Sequence, residues 1–294
     1  MGNILETLNQ KRVLLLDGAM GTRLQEQGLQ SGEAPELWNI KHPEIISLIH
    51  KEYVGAGSDV ILTNTFGGNL IKLKKAGIEV LFKDINSAAV RIARSAEADY
   101  VFGDIGPTGE LLEPYGELKT EDAIDVFKKQ GEVLTLAGVD GFIIETMIDV
   151  EEAVCAVKGL KQFGLPIFSS ITFQKTKKGE FRTLMGQTPQ GAAVRLKDEG
   201  SCAVGTNCGL VIEEMIGLVK QISTSVSVPI IAEPNAGIPK IKNGKTVFEQ
   251  TPADFASHLK MLIDAGASII GGCCGTTPSF IKALKKELEI SVKK

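Results

Sequence analysis

The chain has 294 residues, of which 43% are hydrophobic and 23% are charged, and its formal net charge at pH 7 is -4. This composition is typical of a globular protein with one large domain or two smaller ones. The negative charge argues against a general attraction to nucleic acid or to an anionic membrane. No apolar run approaches the ~20 residues that a membrane-spanning helix needs. The polar segment 1–12 lacks a signal-peptide apolar stretch, so we expect a cytoplasmic protein.

Short apolar runs, rich in β-branched residues, alternate with longer amphipathic segments along the whole chain. The runs are nearly continuous in apolar residues, which is typical of strands buried on both faces of a parallel sheet. In chain order, the predicted strands are Val13–Asp17, Asp59–Asn64, Tyr100–Ile105, Gly141–Glu145, Ile167–Thr172, Ala203–Asn207, Pro229–Glu233 and Ser268–Gly272.

A helical pattern follows each predicted strand. The predicted helices are Pro43–Ala56, Leu81–Glu97, Thr120–Ala137, Val150–Phe163, Thr188–Glu199, Ile212–Ser223, Pro252–Ala265 and Pro278–Leu288. Eight strand–helix units predict an α/β fold, a single (β/α)8 TIM barrel, and we interpret residues 1–294 as one domain. The alternative is a doubly wound open sheet, but no strong dinucleotide-binding fingerprint follows the first predicted strand.

Polar and sulfur-containing residues stand where the predicted strands end. In a TIM barrel the active site is built at the carboxyl ends of the strands and in the loops that follow them. The residues at these positions are Asp17, Asn64, Asp104, Glu145, Asn207, Cys208, Glu233, Asn235, Cys273 and Cys274. We therefore expect the functional site among them.

Cys273 and Cys274 are adjacent and flanked by glycines at the end of the eighth predicted strand. Neighbouring cysteines rarely bond to each other, because a disulfide between them is strained. The glycines remove side-chain bulk and let both sulfurs turn toward one point. We interpret the pair as thiolate ligands for zinc. The alternative is two small buried hydrophobic residues.

Cys208, at the end of the sixth predicted strand, is the candidate for a third thiolate. Strands six and eight are both even-numbered strands of the barrel, so the side chains at their ends can point to the same side of the barrel opening. Three cysteines leave the fourth position of a tetrahedral zinc ion open, which is typical of a catalytic site. We expect the remaining cysteines and the histidines to be structural; these are Cys155, Cys202, His42, His50 and His258.

Zinc held by three thiolates activates water poorly and is better suited to bind an incoming thiol. A free thiol has a pKa of ~8.5 and is mostly protonated at pH 7, and metal coordination removes that proton. Asp17 and Glu145 suit an ammonium group, although each can instead bond local backbone. Backbone N–H groups of the small-residue loop Gly18, Ala19 and Met20 suit a carboxylate. Together these groups predict alkyl transfer to a thiol amino acid.

Four motifs resemble the homocysteine S-methyltransferase family over essentially the whole chain. They are Asp17-Gly-Ala-Met-Gly-Thr, Asn207-Cys208, Glu233-Pro-Asn-Ala-Gly and Gly271-Gly-Cys-Cys-Gly-Thr-Thr-Pro. Within that family, the stretch Val101–Glu110 and the motif that begins at Glu233 look most like the homocysteine-binding domain of cobalamin-dependent methionine synthase.

The resemblance implies a (β/α)8 barrel with zinc on Cys208, Cys273 and Cys274. It also implies that the thiolate of homocysteine becomes the fourth zinc ligand and that the product is methionine. Asn235 matches a position that can occupy the fourth zinc position before homocysteine arrives. The two carboxylates named above match the substrate-anchoring residues.

The methyl donor is the point at which the chain departs from the cobalamin-dependent enzyme. That enzyme continues into folate, cobalamin and activation domains, whereas this sequence ends at Lys294. We therefore expect a methylcorrinoid donor, such as methylcobalamin, on a separate corrinoid protein or a missing domain. S-methylmethionine and betaine are alternative donors, although betaine would favour an aromatic cage and Trp38 is the single tryptophan. The non-enzymatic alternative is a zinc-containing docking subunit for a corrinoid protein.

Overall fold

The computed structural model describes residues 4–10, 13–242 and 245–292. Its main sheet has eight parallel strands that curl into a nearly closed barrel. These barrel strands, β1 to β8, are Leu14–Leu15, Val60–Leu62, Tyr100–Ile105, Gly141–Met147, Ile167–Ile171, Ala203–Val211, Ile230–Asn235 and Ala267–Ile270. Each strand from β2 to β7 pairs with the strand that follows it in the chain, and β8 pairs with β1. The predicted (β/α)8 barrel is confirmed.

The seam between β1 and β2 is closed largely by side chains. The backbone N–H of Asp59 donates to the carbonyl oxygen of Leu15 at 2.8 Å. The N–H of Leu15 in turn donates to Asp59 Oδ2 at 2.9 Å, and the N–H of Leu62 donates to Asp17 Oδ2 at 2.9 Å. Because carboxylates accept bonds that a neighbouring strand would otherwise take, β1 and β2 are shorter than the sequence predicted.

Other strand ends also differ from the predicted ones. Only Tyr100–Ile105 has the predicted bounds, whereas β4 continues to Met147 and β6 continues to Val211. Both extensions run past residues with left-handed backbone, Thr146 with φ of 57° and Cys208 with φ of 59°. Irregular pairing of this kind leaves no trace in an apolar pattern.

Thirteen α-helices lie among the described residues. They are Ile4–Gln10, Met20–Glu26, Trp38–Lys41, Pro43–Ala56, Leu70–Lys75, Phe82–Arg94, Thr120–Ala137, Val150–Leu160, Pro189–Glu199, Ile212–Ser223, Pro252–Ser257, Leu259–Asp264 and Pro278–Val292. Several short ones were not predicted, and the predicted helix Pro252–Ala265 is divided at His258. Two small hairpins add the strand pairs Gln174–Lys175 with Phe181–Arg182 and Lys240–Lys242 with Lys245–Val247.

The amino-terminal end of the barrel interior is a packed apolar core. Inward-facing residues from all eight strands meet there, and Ile4 and Leu8 of the first helix pack against them. The rings of Phe102 and Phe168 lie 4.8 Å apart at the centre of this layer. A larger apolar cluster joins the outer face of the strands to the helices. Across the described part of the chain, no helix has the length and apolar character needed to cross a membrane.

Candidate active site and metal centre

A cavity of about 340 Å³ lies at the carboxyl ends of the barrel strands. The sequence-predicted residues that line it are Asp17, Gly18, Ala19, Met20, Glu145, Cys208, Cys273 and Cys274. Asn235 lies beside the lining, because its side chain forms a hydrogen bond with Cys208. The structure therefore brings every predicted site residue to one end of the barrel.

The three cysteines form a cluster whose spacing fits a zinc ion. Cys208 Sγ and Cys274 Sγ are 3.8 Å apart, and the three sulfurs, with that of Cys273, all lie within 4.8 Å of one another. Two Zn–S bonds of ~2.3 Å at a tetrahedral angle separate their sulfurs by about 3.8 Å. The cluster therefore has the donor type and the spacing that zinc requires.

Hydrogen bonding among the sulfurs separates their pKa values. Bonds from Cys273 and Cys274 lower the pKa of Cys208 to about 3. The bond to Cys208 raises the pKa of Cys274 to about 12 and that of Cys273 well above its ordinary value. These hydrogen bonds favour the thiolate at Cys208 over the other two thiols, and a metal ion that binds here would displace the thiol protons.

Asn235 places an unsatisfied acceptor beside the thiols. The residue ends β7, is 6% exposed, and its Oδ1 has no hydrogen-bond partner among the described residues. Leaving a buried polar group without a partner costs about 1–3 kcal/mol. The side chain also bonds Cys208, so an unpartnered amide oxygen of the same residue suits a metal ligand that can leave when a substrate arrives.

Asn207 locks two strained residues on either side of the site. Left-handed backbone at Thr146 and Cys208 costs about 1–3 kcal/mol at each position. Asn207 Oδ1 accepts from the Thr146 N–H at 2.8 Å and from Ser170 Oγ at 2.7 Å, while its Nδ2 donates to Thr146 Oγ1 at 2.7 Å. These bonds hold the turn that aims Cys208. The sequence placed Asn207 at the end of a predicted strand and in a motif with Cys208, but it indicated no role for its side chain.

Thr276 ties the first loop to the cysteine loop. Its Oγ1 accepts from the Ala19 N–H at 3.1 Å and donates to the Cys273 carbonyl at 2.7 Å. A Cβ at Gly272 would lie 2.5 Å from this oxygen, and one at Gly18 would lie 2.7 Å from it. The glycines thus make room for Thr276. The Ala19 amide, which was predicted to bind a substrate carboxylate, is thus engaged by Thr276.

Five carboxyl groups line the cavity, those of Asp17, Glu36, Asp104, Glu145 and Glu233. Burial raises the pKa of each, and repulsion among the carboxylates adds to the effect for Asp17, Asp104 and Glu233. For Glu145, burial and then the charge of Cys208 raise the pKa to about 7. No lysine, arginine or histidine lines the cavity within the described ranges. The cavity therefore favours a ligand with a positively charged group.

Asp104 and Glu233 were not assigned a role from the sequence. Both are buried, and Asp104 Oδ1 and Glu233 Oε2 have no hydrogen-bond partner in the part of the chain that the structure describes. Each is a carboxylate at the carboxyl end of a barrel strand, which is the signal that selected Asp17 and Glu145. That signal placed both residues among the expected site residues, but it did not indicate what they bind.

The sequence model of the family described as homocysteine S-methyltransferase matches residues 14–288 of the chain. The chain belongs to the homocysteine S-methyltransferase family. The family membership inferred from the thiol and carboxylate motifs is thereby confirmed.

Two curated relatives of this family member are much longer than the chain itself. Methionine synthase from Mycobacterium leprae is 31% identical over 301 residues, which cover 95% of this chain and 24% of the relative. Methionine synthase from Mycobacterium tuberculosis is 29% identical, with 95% of this chain and 25% of the relative covered. The chain thus spans about a quarter of the length of these relatives.

Solved structures agree with the barrel fold of this homocysteine S-methyltransferase family member. The metallated form of the homocysteine methyltransferase MmuM from Escherichia coli superposes with a TM-score of 0.80 at 24% identity, covering 97% of this chain and 99% of that one. The oxidised form gives a TM-score of 0.79 at the same identity and coverage. At this identity the likeness supports the fold.

Proposed function

We propose that residues 1–294 form a homocysteine-binding barrel domain that transfers a methyl group to the thiol of homocysteine and gives methionine. The observation that carries this proposal is the three-thiol cluster at the edge of an acidic cavity. Family membership supports it. A thiol amino acid has a soft sulfur at one end and an ammonium at the other, so it matches both sides of the cavity.

Cys208, Cys273 and Cys274 would hold Zn²⁺, with Asn235 as an exchangeable fourth ligand. When bound, zinc supplies positive charge that keeps the substrate thiol deprotonated near neutral pH. The sulfur spacing and the unpartnered Asn235 oxygen support this assignment.

The carboxylates of Asp17 and Glu145 would hold the substrate ammonium. Asp17 Oδ2 is fixed by the Leu62 N–H, which leaves Oδ1 for the ligand. The backbone amides of Gly18 and Met20 are the remaining members of the predicted carboxylate-binding loop, since that of Ala19 is engaged. Held at this end, the amino acid would extend its thiol toward the cysteines.

The chemical step is a displacement at the methyl carbon. The substrate sulfur attacks this carbon, the new S–C bond forms as the bond from donor to carbon breaks, and the electron pair of that bond leaves with the donor. The proton of the thiol passes to solvent beforehand. The residues of the chain contribute by holding the sulfur in one place, which removes much of the entropic barrier.

We favour as the donor a methylcorrinoid, such as methylcobalamin, carried by a separate corrinoid protein or by a further domain. A group of that size must deliver its methyl from outside a cavity of about 340 Å³. The loops that follow β3, β5 and β7 present exposed apolar side chains, those of Leu111, Tyr115, Leu184, Ile238 and Ile241. Such side chains on one end of a barrel suit contact with a protein partner.

A small sulfonium donor such as S-methylmethionine is the second candidate. The carboxylates of the cavity and the lack of cationic side chains in its described lining favour a cation. Betaine fits less well, because Phe66 is the one aromatic residue in the described lining and quaternary ammonium groups favour cages of several rings.

The decisive test is the variant Cys208→Ser, with Cys202→Ser as a matched control. Cys202 lies outside the cavity and its Sγ donates to the Ile167 carbonyl at 3.1 Å, a bond that serine can keep. We expect the wild type and the control to bind one zinc. We expect Cys208→Ser to lose zinc and to form methionine at least about 100-fold more slowly. Full zinc content with full activity in Cys208→Ser would refute the proposal.

Donor choice is tested by methionine formation with methylcobalamin, S-methylmethionine and betaine in parallel. Activity with one of them identifies the donor class. A protein that binds zinc but forms no methionine with any donor would favour the docking-subunit alternative. In that alternative the chain should unfold when a chelator removes zinc, whereas the catalytic proposal expects an apolar barrel core that still melts cooperatively.

A further inference from the structure

A second cluster of metal-ligand atoms lies outside the cavity. Glu213, Asp254 and His258 each place one such atom within 4.8 Å of the others. Glu213 is in the first turn of Ile212–Ser223, the helix after β6, and Asp254 is in Pro252–Ser257, which follows β7. None of the three lines the cavity of the candidate active site.

The ring of His258 is oriented as a metal ligand would be. Its Nδ1 lies 2.9 Å from the carbonyl oxygen of Asp254, and because a carbonyl only accepts, Nδ1 carries the proton. In the neutral ring, Nε2 then has a free lone pair, and it faces Glu213 Oε1 at 3.7 Å. Metal-bound histidines commonly donate their other ring N–H to a backbone carbonyl or a carboxylate.

The spacing of the cluster leaves room for an ion. A separation of 3.7 Å between Nε2 and Glu213 Oε1 is too long for a hydrogen bond. Nitrogen and oxygen ligands of a tetrahedral zinc ion, at ~2.0–2.2 Å from the metal, lie about 3.4 Å from each other. Small side-chain rotations would therefore let both atoms contact one ion.

Gln250 forms hydrogen bonds with both carboxylates of the cluster. Its Nε2 donates to Glu213 Oε1 at 3.2 Å and to Asp254 Oδ2 at 2.8 Å. Its own Oε1 is buried and has no hydrogen-bond partner among the described residues. The amide nitrogen thus fixes both carboxylates, as hydrogen-bond partners of ligating carboxylates do in metal sites.

We propose that Glu213, Asp254 and His258 form a second divalent-metal site, separate from the three-thiol centre. One imidazole nitrogen with two carboxylate oxygens suits a borderline ion such as Zn²⁺ or Co²⁺. The backbone N–H of Gln250 donates to the Ala236 carbonyl at 3.2 Å, next to the end of β7. An ion at this site would therefore join the helix after β6 to the segment after β7.

The test adds Co²⁺ to the full chain that has first been loaded with one equivalent of zinc. Cobalt on nitrogen and oxygen ligands gives weak visible absorption without the intense near-ultraviolet bands of sulfur ligation. We expect one further equivalent to bind with the weak spectrum only. His258→Gln and Asp254→Asn should each weaken this binding by at least about tenfold.

His42→Gln is the matched control, because His42 is an exposed histidine with a single carboxylate, Glu44, at 3.8 Å. It should bind the added cobalt like the wild type. Cys208→Ser, which is expected to lose the thiol-bound zinc, is titrated with cobalt without the prior zinc and should still give the weak spectrum, which separates this site from the proposed function. The proposal is overturned if the wild type takes up no further equivalent. It is also overturned if both His258→Gln and Asp254→Asn, checked as folded by their melting curves, bind cobalt as tightly as the wild type.

Discussion

The two ends of the barrel interior use the same strands for opposite purposes. At the amino-terminal end, Phe102 and Phe168 are fully buried among apolar neighbours, and the first helix covers them. At the carboxyl end, Asp104 and Glu233 are buried with oxygens that lack partners. The first arrangement contributes stability and the second lowers it. The residues that stabilise the fold thus lie at one end of each strand, and the residues that suit chemistry lie at the other end.

The largest expected effect on stability is at the amino-terminal end. Phe168→Ala should lower the free energy of unfolding by about 3–5 kcal/mol, because it leaves a cavity against the Phe102 ring. Zinc stoichiometry should not change. Urea denaturation with metal analysis checks both, and Leu136→Ala, at a side chain that is 82% exposed, should shift stability by less than about 0.5 kcal/mol. Loss of zinc without loss of stability would contradict the separation of the two ends.

A smaller effect on stability is expected from the residue that supports the strained backbone at the carboxyl end. Asn207→Ala should lower the free energy of unfolding by about 2–3 kcal/mol, since it removes three hydrogen bonds around left-handed residues. Zinc affinity should fall by roughly 10–100-fold. Asn39→Ala is the control, because Asn39 is an equally buried amide that bonds the Asn64 carbonyl at 2.8 Å, outside the thiol cluster. Equal zinc affinity in the two variants would show that Asn207 does not aim Cys208.

At the carboxyl end, replacing a buried carboxyl that lacks a partner should stabilise the protein. Glu233→Gln should raise the free energy of unfolding by about 1 kcal/mol, because it replaces a buried carboxyl that lacks a partner. The KM for homocysteine should rise. Glu152→Gln is the contrasting control. Glu152 Oε1 accepts hydrogen bonds from the Thr108 N–H at 2.7 Å and from the Thr108 hydroxyl at 2.6 Å, so this substitution should destabilise the protein. If both variants lower the free energy of unfolding, the buried carboxyl of Glu233 does not reduce the stability of the protein.

The smallest expected effect is a pH dependence of stability in the zinc-free, reduced protein. The folded pKa of Glu145, about 7, lies above its ordinary value of 4.5. Between these pH values the folded chain holds a proton that the unfolded chain has lost, so the contribution of Glu145 to stability falls as pH rises. The low pKa of Cys208 acts in the opposite direction.

The variant Glu145→Gln isolates the carboxyl from the thiol. Its free energy of unfolding, relative to the wild type, should increase between about pH 5 and about pH 8. Urea denaturation at the two pH values measures this difference. A difference that stays constant or decreases would mean that burial does not hold the Glu145 proton.

The sequence predicted the parts of the site that follow from position on a strand. Cys208, Asp17 and Glu145 stand at carboxyl ends of apolar runs, and a barrel brings such ends together. It did not predict the bond from the Ala19 amide to Thr276, since the two residues are 257 positions apart and no pattern in the sequence pairs them. The left-handed backbone at Thr146 was equally hidden, because tertiary hydrogen bonds and not local propensity maintain it.

The seam between β1 and β2 connects the barrel to its ligand through a single carboxylate. Asp17 Oδ2 protects the Leu62 amide, while the other oxygen of the same group is proposed to hold the substrate ammonium. An ammonium on Oδ1 would keep the carboxylate ionised and strengthen its bond to the amide. Hydrogen exchange at Leu62 should therefore slow when an amino acid binds, so that one backbone proton reports on occupancy of the cavity.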